Sequence, residues 1–103
     1  MNGYDFDGVI TNGMHPSKDD VIVTGRSLDR HDASAQYLKD NDIKYLHLYM
    51  CPVLEEDVIS SAEWKRFIIN YLNLEKFYED DGRIYNYLSK YCHTTDIIWV
   101  RDE

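Results

Sequence analysis

Apolar residues fall along the chain in two alternating rhythms: short unbroken runs, and longer stretches in which they return every three or four positions. Val21-Ile22-Val23-Thr24, closed by Gly25, is a β-branched run ending at a turn, the pattern of a buried strand. Ser27 or Asp29 would then cap a helix reaching about Asn41, with Leu28, Ala35 and Leu38 among its apolar positions. Tyr45 to Met50 is a second apolar run, stopped by Pro52. The clearest helix begins at Ser60 or Ser61, because Trp64, Phe67, Ile68, Tyr71 and Leu72 recur at spacings of three and four. A further helix from Arg83 to Tyr91 sets Ile84, Leu88 and Tyr91 on one side. Strands are expected near 2–5, 21–24, 44–50, 75–79 and 95–100.

Strand followed by helix, repeated, predicts an α/β domain in which helices cover a parallel sheet. One step breaks the rhythm. Between the first two strands lies only GVITNGMHPSKDD, with Gly13 and Pro16, which is too short for a crossover helix. One face of the sheet should therefore carry one helix where the other carries two. Uncovered apolar surface there would be a motive for self-association into a homodimer.

Composition narrows the picture. A chain of 103 residues fits one domain, 1–103, and its 44% hydrophobic content argues for an ordered core. A net charge of −8 disfavours a general nucleic-acid coat. No apolar run is long enough to span a bilayer and the first ten residues lack a signal pattern, so a cytoplasmic protein without a membrane partner is expected. Cys51 and Cys92 have no metal-binding spacing and read as reduced, partly buried thiols, and His15, His31, His47 and His93 share no ligand spacing.

The chemistry gathers at Tyr4-Asp5-Phe6-Asp7-Gly8-Val9-Ile10. In a strand, residues two apart point the same way, so Asp5 and Asp7 would overhang the carboxyl edge of the sheet, where open α/β folds bind ligands. Two neighbouring carboxylates repel unless one is protonated, hydrogen-bonded or neutralised by a cation, and magnesium suits oxygen donors. Gly8 eases a bend that would let the two carboxylates take different jobs.

DFDGVI resembles the first motif of the haloacid dehalogenase superfamily, the aspartate-nucleophile phosphatases. VIVTGR resembles its second motif, an apolar strand ending here in Thr24. FYEDD resembles the fourth, ending in Asp80 and Asp81, with Glu79 as an off-by-one alternative. For the third motif, a lysine near the start of a helix, the candidate is Lys65. The register nearer the family spacing is Ser60, five positions and roughly 7.5 Å of helix away, so Lys65 would reach back by its long stem.

The resemblance implies a three-layer sandwich around a parallel five-stranded sheet. It also implies a phosphomonoester hydrolase using Mg2+. Asp5 would attack phosphorus, Asp7 would act as acid and then base, and Lys65 would neutralise charge. Thr24, Gly25 and Arg26 would hold the phosphate. The metal would rest on Asp5, Asp7 through its backbone carbonyl, Asp80 and Asp81. Neither interval that carries a cap domain in such enzymes is long enough here, so the site would be open. TGRS also resembles the phosphatase domain of bacteriophage polynucleotide kinase, which implies a phosphorylated small molecule or nucleic-acid end as substrate. Two other classes compete: a weakly active or inactive relative that binds a phosphorylated ligand or a protein, and a phospho-acceptor receiver domain. A receiver fits poorly, because its acceptor aspartate should end the middle strand and LHLYMCPV offers none.

Overall fold

In the computed structural model, residues 1–101 are described. Five strands, β1 (Asn2–Tyr4), β2 (Val21–Ser27), β3 (His47–Cys51), β4 (Lys76–Glu79) and β5 (Asp96–Trp99), form one sheet in the order β3-β2-β1-β4-β5. Every pairing is parallel. Tyr4 lies opposite both Ile22 and Tyr78, and the Asp5 amide extends the ladder to the Tyr78 carbonyl at 3.0 Å. Strand order reverses at β1, so the carboxyl end of β1 beside β4 is the topological switch point of the sheet.

Helices lie on both faces: α1 (His31–Asp40) on one, α2 (Val58–Leu72) and α3 (Gly82–Tyr91) on the other. Val21, Val23, Phe77 and Ile97 pack against Ala62, Ile68 and Ile69 of α2 and Ile84 and Leu88 of α3. Gly3 belongs to this layer: a Cβ there would stand 2.6 Å from Leu74 Cδ1. On the opposite face, Tyr4 and Ile22 meet Leu38 of α1. The missing crossover helix is replaced by a kinked turn, Phe6–Ile10, with non-helical backbone at Asp7 and Gly8, whose Phe6, Val9 and Ile10 are buried in the same cluster. Those three side chains pack onto the face of the sheet that lacks a crossover helix. Exposed large apolar side chains stand on α2, at Ile59, Phe67 and Tyr71, and outside it at Leu28, Leu46, Val53, Leu54 and Trp99.

Capping moves two predicted helix starts. Asp57, not a serine, caps α2: its Oδ1 accepts the Ser60 amide at 2.7 Å, and the helix starts at Val58. Neither Ser27 nor Asp29 caps α1, since the Ser27 hydroxyl donates to the Asp29 carboxylate and a short turn, Leu28–Arg30, comes first. The strand at 44–50 also starts later, at His47, while β2 runs past residue 24 to Ser27 with a register shift against β3. Both cysteines are buried free thiols. Among the described residues, no helix is long and apolar enough to cross a membrane.

Candidate functional site

At the switch point lies an open cleft of about 310 Å³, lined by residues from the ends of β1, β2 and β4 and the first turns of α2 and α3. Asp5, 5% exposed, lies deep in the cleft. Its Oδ1 accepts the Phe6 amide at 2.8 Å and faces Lys65 Nζ at 3.0 Å. Lys65 itself, 2% exposed, belongs to the buried stripe of α2 with Ala62, Ile68 and Ile69. A buried ammonium needs partners. Besides Asp5, Lys65 donates to Oε1 of the fully buried Glu79 at 2.7 Å. The other Glu79 oxygen accepts the amides of Asp80 and Asp81, at 3.2 and 3.1 Å. Glu79 thus fixes both the lysine and the turn that presents Asp80.

Asp80 reaches the cleft across Gly8. That glycine has φ 82°, a left-handed conformation, and a Cβ on it would overlap the Asp80 carboxylate. Asp5, Glu79 and Asp80 each place one carboxylate oxygen within 4.8 Å of the others.

Asp7 turns the other way. Arg26 grips it with two hydrogen bonds, Nε to Oδ2 at 2.9 Å and Nη2 to Oδ1 at 2.7 Å. The guanidinium lies 4.0 Å over the Phe6 ring and also donates to Ser34 Oγ at 2.9 Å, a stacked and bidentate setting that lysine could not reproduce. Thr24 is buried, and its Oγ1 accepts the Arg26 amide at 3.0 Å. Gly25 lets α2 close on this loop, because a Cβ there would overlap the Ser61 hydroxyl. Arg30 and Glu56 make an ion pair of 2.6 Å at the rim.

Charge is not balanced inside the cleft. Asp5, Glu79 and Asp80 face one lysine. Burial, opposed by the Lys65 charge and reinforced by Glu79, pushes Asp5 up to about 7. Burial and the neighbouring Asp5 carboxyl push Asp80 up to about 6. Burial works against the Lys65 charge, but the Asp5 and Glu79 carboxylates together outweigh it and hold the ammonium above its ordinary range. The Arg26 hydrogen bonds keep Asp7 below the usual carboxylate range. Excess negative charge with an all-oxygen donor set suits a hard cation such as magnesium, and Asp5 and Asp80 are the carboxylates to hold it, since both Glu79 oxygens already accept hydrogen bonds.

No protein-family model matches this chain. Searches of curated proteins and of solved structures return no match either.

All the residues singled out in the sequence line this one cleft: Asp5, Asp7, Thr24, Gly25, Arg26, Lys65, Asp80 and Asp81. The acidic trio, however, contains neither the Asp7 nor the Asp81 side chain. Asp7 is held by Arg26. The Asp81 carboxylate caps α3, accepting the amides of Arg83 and Ile84 at 2.9 and 3.4 Å, and pairs with the Arg83 guanidinium at 3.0 Å. Sequence reasoning passed over Ser61, Arg30 and Glu56 and treated Glu79 only as a substitute for an aspartate. A signal for Glu79 existed: it alternates with the buried Phe77, so it faces the α2 layer where Lys65 interrupts an apolar stripe.

Proposed function

We propose that the chain is a magnesium-dependent phosphomonoester hydrolase of the haloacid dehalogenase type, with a capless three-layer core. The observation that carries this reading is the buried Asp5–Lys65–Glu79 chain, with Asp80 beside it, at the switch point of a parallel sheet. Asp5 attacks phosphorus, forming an acyl-phosphate bond as the ester P–O bond breaks and the leaving oxygen takes a proton from Asp7. Water, deprotonated by Asp7, then attacks phosphorus and returns the Asp5 carboxylate with release of inorganic phosphate. Lys65 holds the nucleophile and offsets its charge, while Thr24 and Gly25 face the phosphate oxygens. Magnesium, held by Asp5 and Asp80 with the Asp7 carbonyl, would supply the charge neutralisation that lets a phosphate dianion approach these acids.

Arg26 sets the order of events. While it grips Asp7, that carboxyl stays ionised and has no proton to give. A substrate phosphate competes for the same bidentate guanidinium, and its negative charge beside the released Asp7 carboxylate favours proton uptake there, which makes Asp7 the acid. The same closed pair favours the second reading, a protein that binds a phosphorylated ligand without turnover.

The test is phosphate release from p-nitrophenyl phosphate and from a 3′-phosphorylated oligonucleotide, with magnesium or chelator, for wild type and Asp5→Asn. Magnesium-dependent release that disappears in Asp5→Asn is expected. Saturable binding of the phosphorylated oligonucleotide with no release would select the second reading.

A further inference from the structure

Two hollows continue from the cleft along the seam between α2 and α3. The first begins one residue from the cleft lining on each helix, at Ala62 beside Ser61 and at Arg83 beside Ile84, and Tyr87 forms part of its wall. The second shares Glu63 and Tyr87 with it and runs on past Arg66, Phe67 and Tyr71.

Phe67 and Tyr71 are 61% and 75% exposed, although both are large and apolar. Their rings stand 6.0 Å apart with planes within 15°, and Trp64 extends the row at 6.2 Å and 25°. Across the seam the Arg66 guanidinium lies 4.3 Å over the Tyr91 ring and donates to the Tyr87 hydroxyl at 3.2 Å, and Lys90 stands 5.4 Å from the same Tyr91 ring. Arg83 adds a third cation near the cleft, paired with Asp81. Glu63 is the one acid among the residues lining the lower hollow.

We propose that this seam is a track for single-stranded nucleic acid, leading a terminal phosphate into the Asp5 cleft. The proposal rests on the hydrolase reading for what happens at the end of the track, but the track itself requires only binding. Exposed rings give every base a face to stack on, and interleaved cations meet the backbone phosphates. From Ile59 to Tyr71 the helix rises by roughly 18 Å. At roughly 3.4 Å per nucleotide of a stacked strand, that length takes about five nucleotides. A second copy of the chain is a poorer occupant: a symmetric pairing would set Arg66, Arg83 and Lys90 of one copy against the same cations of the other, whereas a polyanion meets them with opposite charge. A short track also accounts for nucleic-acid binding on an acidic protein, since only a few phosphates need be met.

The measurement is fluorescence anisotropy of a labelled short single-stranded oligonucleotide, with and without a 3′-phosphate, titrated with Asp5→Asn protein in magnesium. The variants are Phe67→Ser with Tyr71→Ser, and Arg66→Glu, each in the Asp5→Asn background, with Leu28→Ser as an exposed apolar control away from the seam. Binding of the unphosphorylated oligonucleotide is expected to weaken about tenfold or more with either seam variant, given the usual worth of base stacking, and to be unchanged by Leu28→Ser. It should also weaken as salt is raised. Seam variants that bind within twofold of the parent would overturn the track, as would a parent dimer that Phe67→Ser with Tyr71→Ser converts to monomer without loss of oligonucleotide binding. Because the unphosphorylated strand is not a substrate, these outcomes do not depend on hydrolysis. A loss of the phosphatase reading would show instead as no phosphate release by wild type.

Discussion

Replacing Asp5, the proposed nucleophile, should make the protein more stable, and the gain should depend on pH. Asp5 is buried in a cluster where three carboxylates face one lysine, and its carboxyl is raised from 3.8 to about 7. Below the unfolded value, both states hold the proton and the acid contributes no pH dependence. Between the two values the folded chain keeps a proton that the unfolded chain releases, so stability falls as pH rises, by roughly 1.4 kcal/mol per pH unit. By pH 8 the loss is complete and amounts to about 4 kcal/mol, a large share of a typical domain stability of roughly 5–15 kcal/mol. Asp5→Asn removes that loss while its amide oxygen can still accept from the Phe6 amide and Lys65. Urea melts of metal-free wild type and Asp5→Asn, run in chelator from pH 4 to pH 8, should show the variant gaining on wild type throughout, most steeply below pH 7. Adding magnesium at pH 8 should return much of the deficit to wild type and little to the variant. A gap that stays flat with pH, or a variant less stable than wild type at pH 8, would refute the charge imbalance on which the reasoning stands.

Three further outcomes are expected. Lys65→Met should destabilise by about 3–5 kcal/mol in urea melts at pH 7, because it leaves buried Glu79 and Asp5 without their cation; a loss under about 1 kcal/mol would mean that water already screens the pair. Asp81→Ala should cost about 1 kcal/mol as a lost helix cap while leaving magnesium affinity, measured by calorimetry, within a few-fold; a larger loss of affinity would make Asp81 a ligand after all. Gly25→Ala should displace the first turn of α2 at a cost of about 1–3 kcal/mol, and adding Ser61→Gly should recover most of it, whereas no recovery would place the strain elsewhere.

Much of the sheet could be read from the chain, since β-branched runs such as Val21-Ile22-Val23 state both their conformation and their burial. Motif residues at strand ends were legible for the same reason: a strand end is a fixed address, so Asp5, Thr24 and Asp80 converge wherever the sheet is parallel. What escaped depends on contacts rather than on spacing. The reach of Lys65 could not be judged until Asp57 proved to cap α2. Glu79 looks like one member of an acidic triplet, and only the packing of α2 over β4 makes it the partner of a lysine. Asp81 reads as a metal ligand because it adjoins Asp80, yet the next residue starts a helix whose amides claim the carboxylate. Aromatic residues on α2 misled in another way: their spacing marks a helix truly, but Phe67 and Tyr71 lie on its outer side.

The place of β1 in the sheet also bears on how the molecule is made. The strand that delivers Asp5 leaves the ribosome before the rest of the sheet, yet one of its two neighbours, β4, begins only at Lys76. Nascent chain must therefore wait, with its central strand half paired, until β4 has been synthesised and the slow closure of a long loop can occur. Asp5, Lys65 and Glu79 come together in that same closing event. A chain cut before β4 keeps Asp5 but lacks Glu79 and Asp80 along with the strand that carries them, so the acidic cluster assembles late and all at once, with the completed fold.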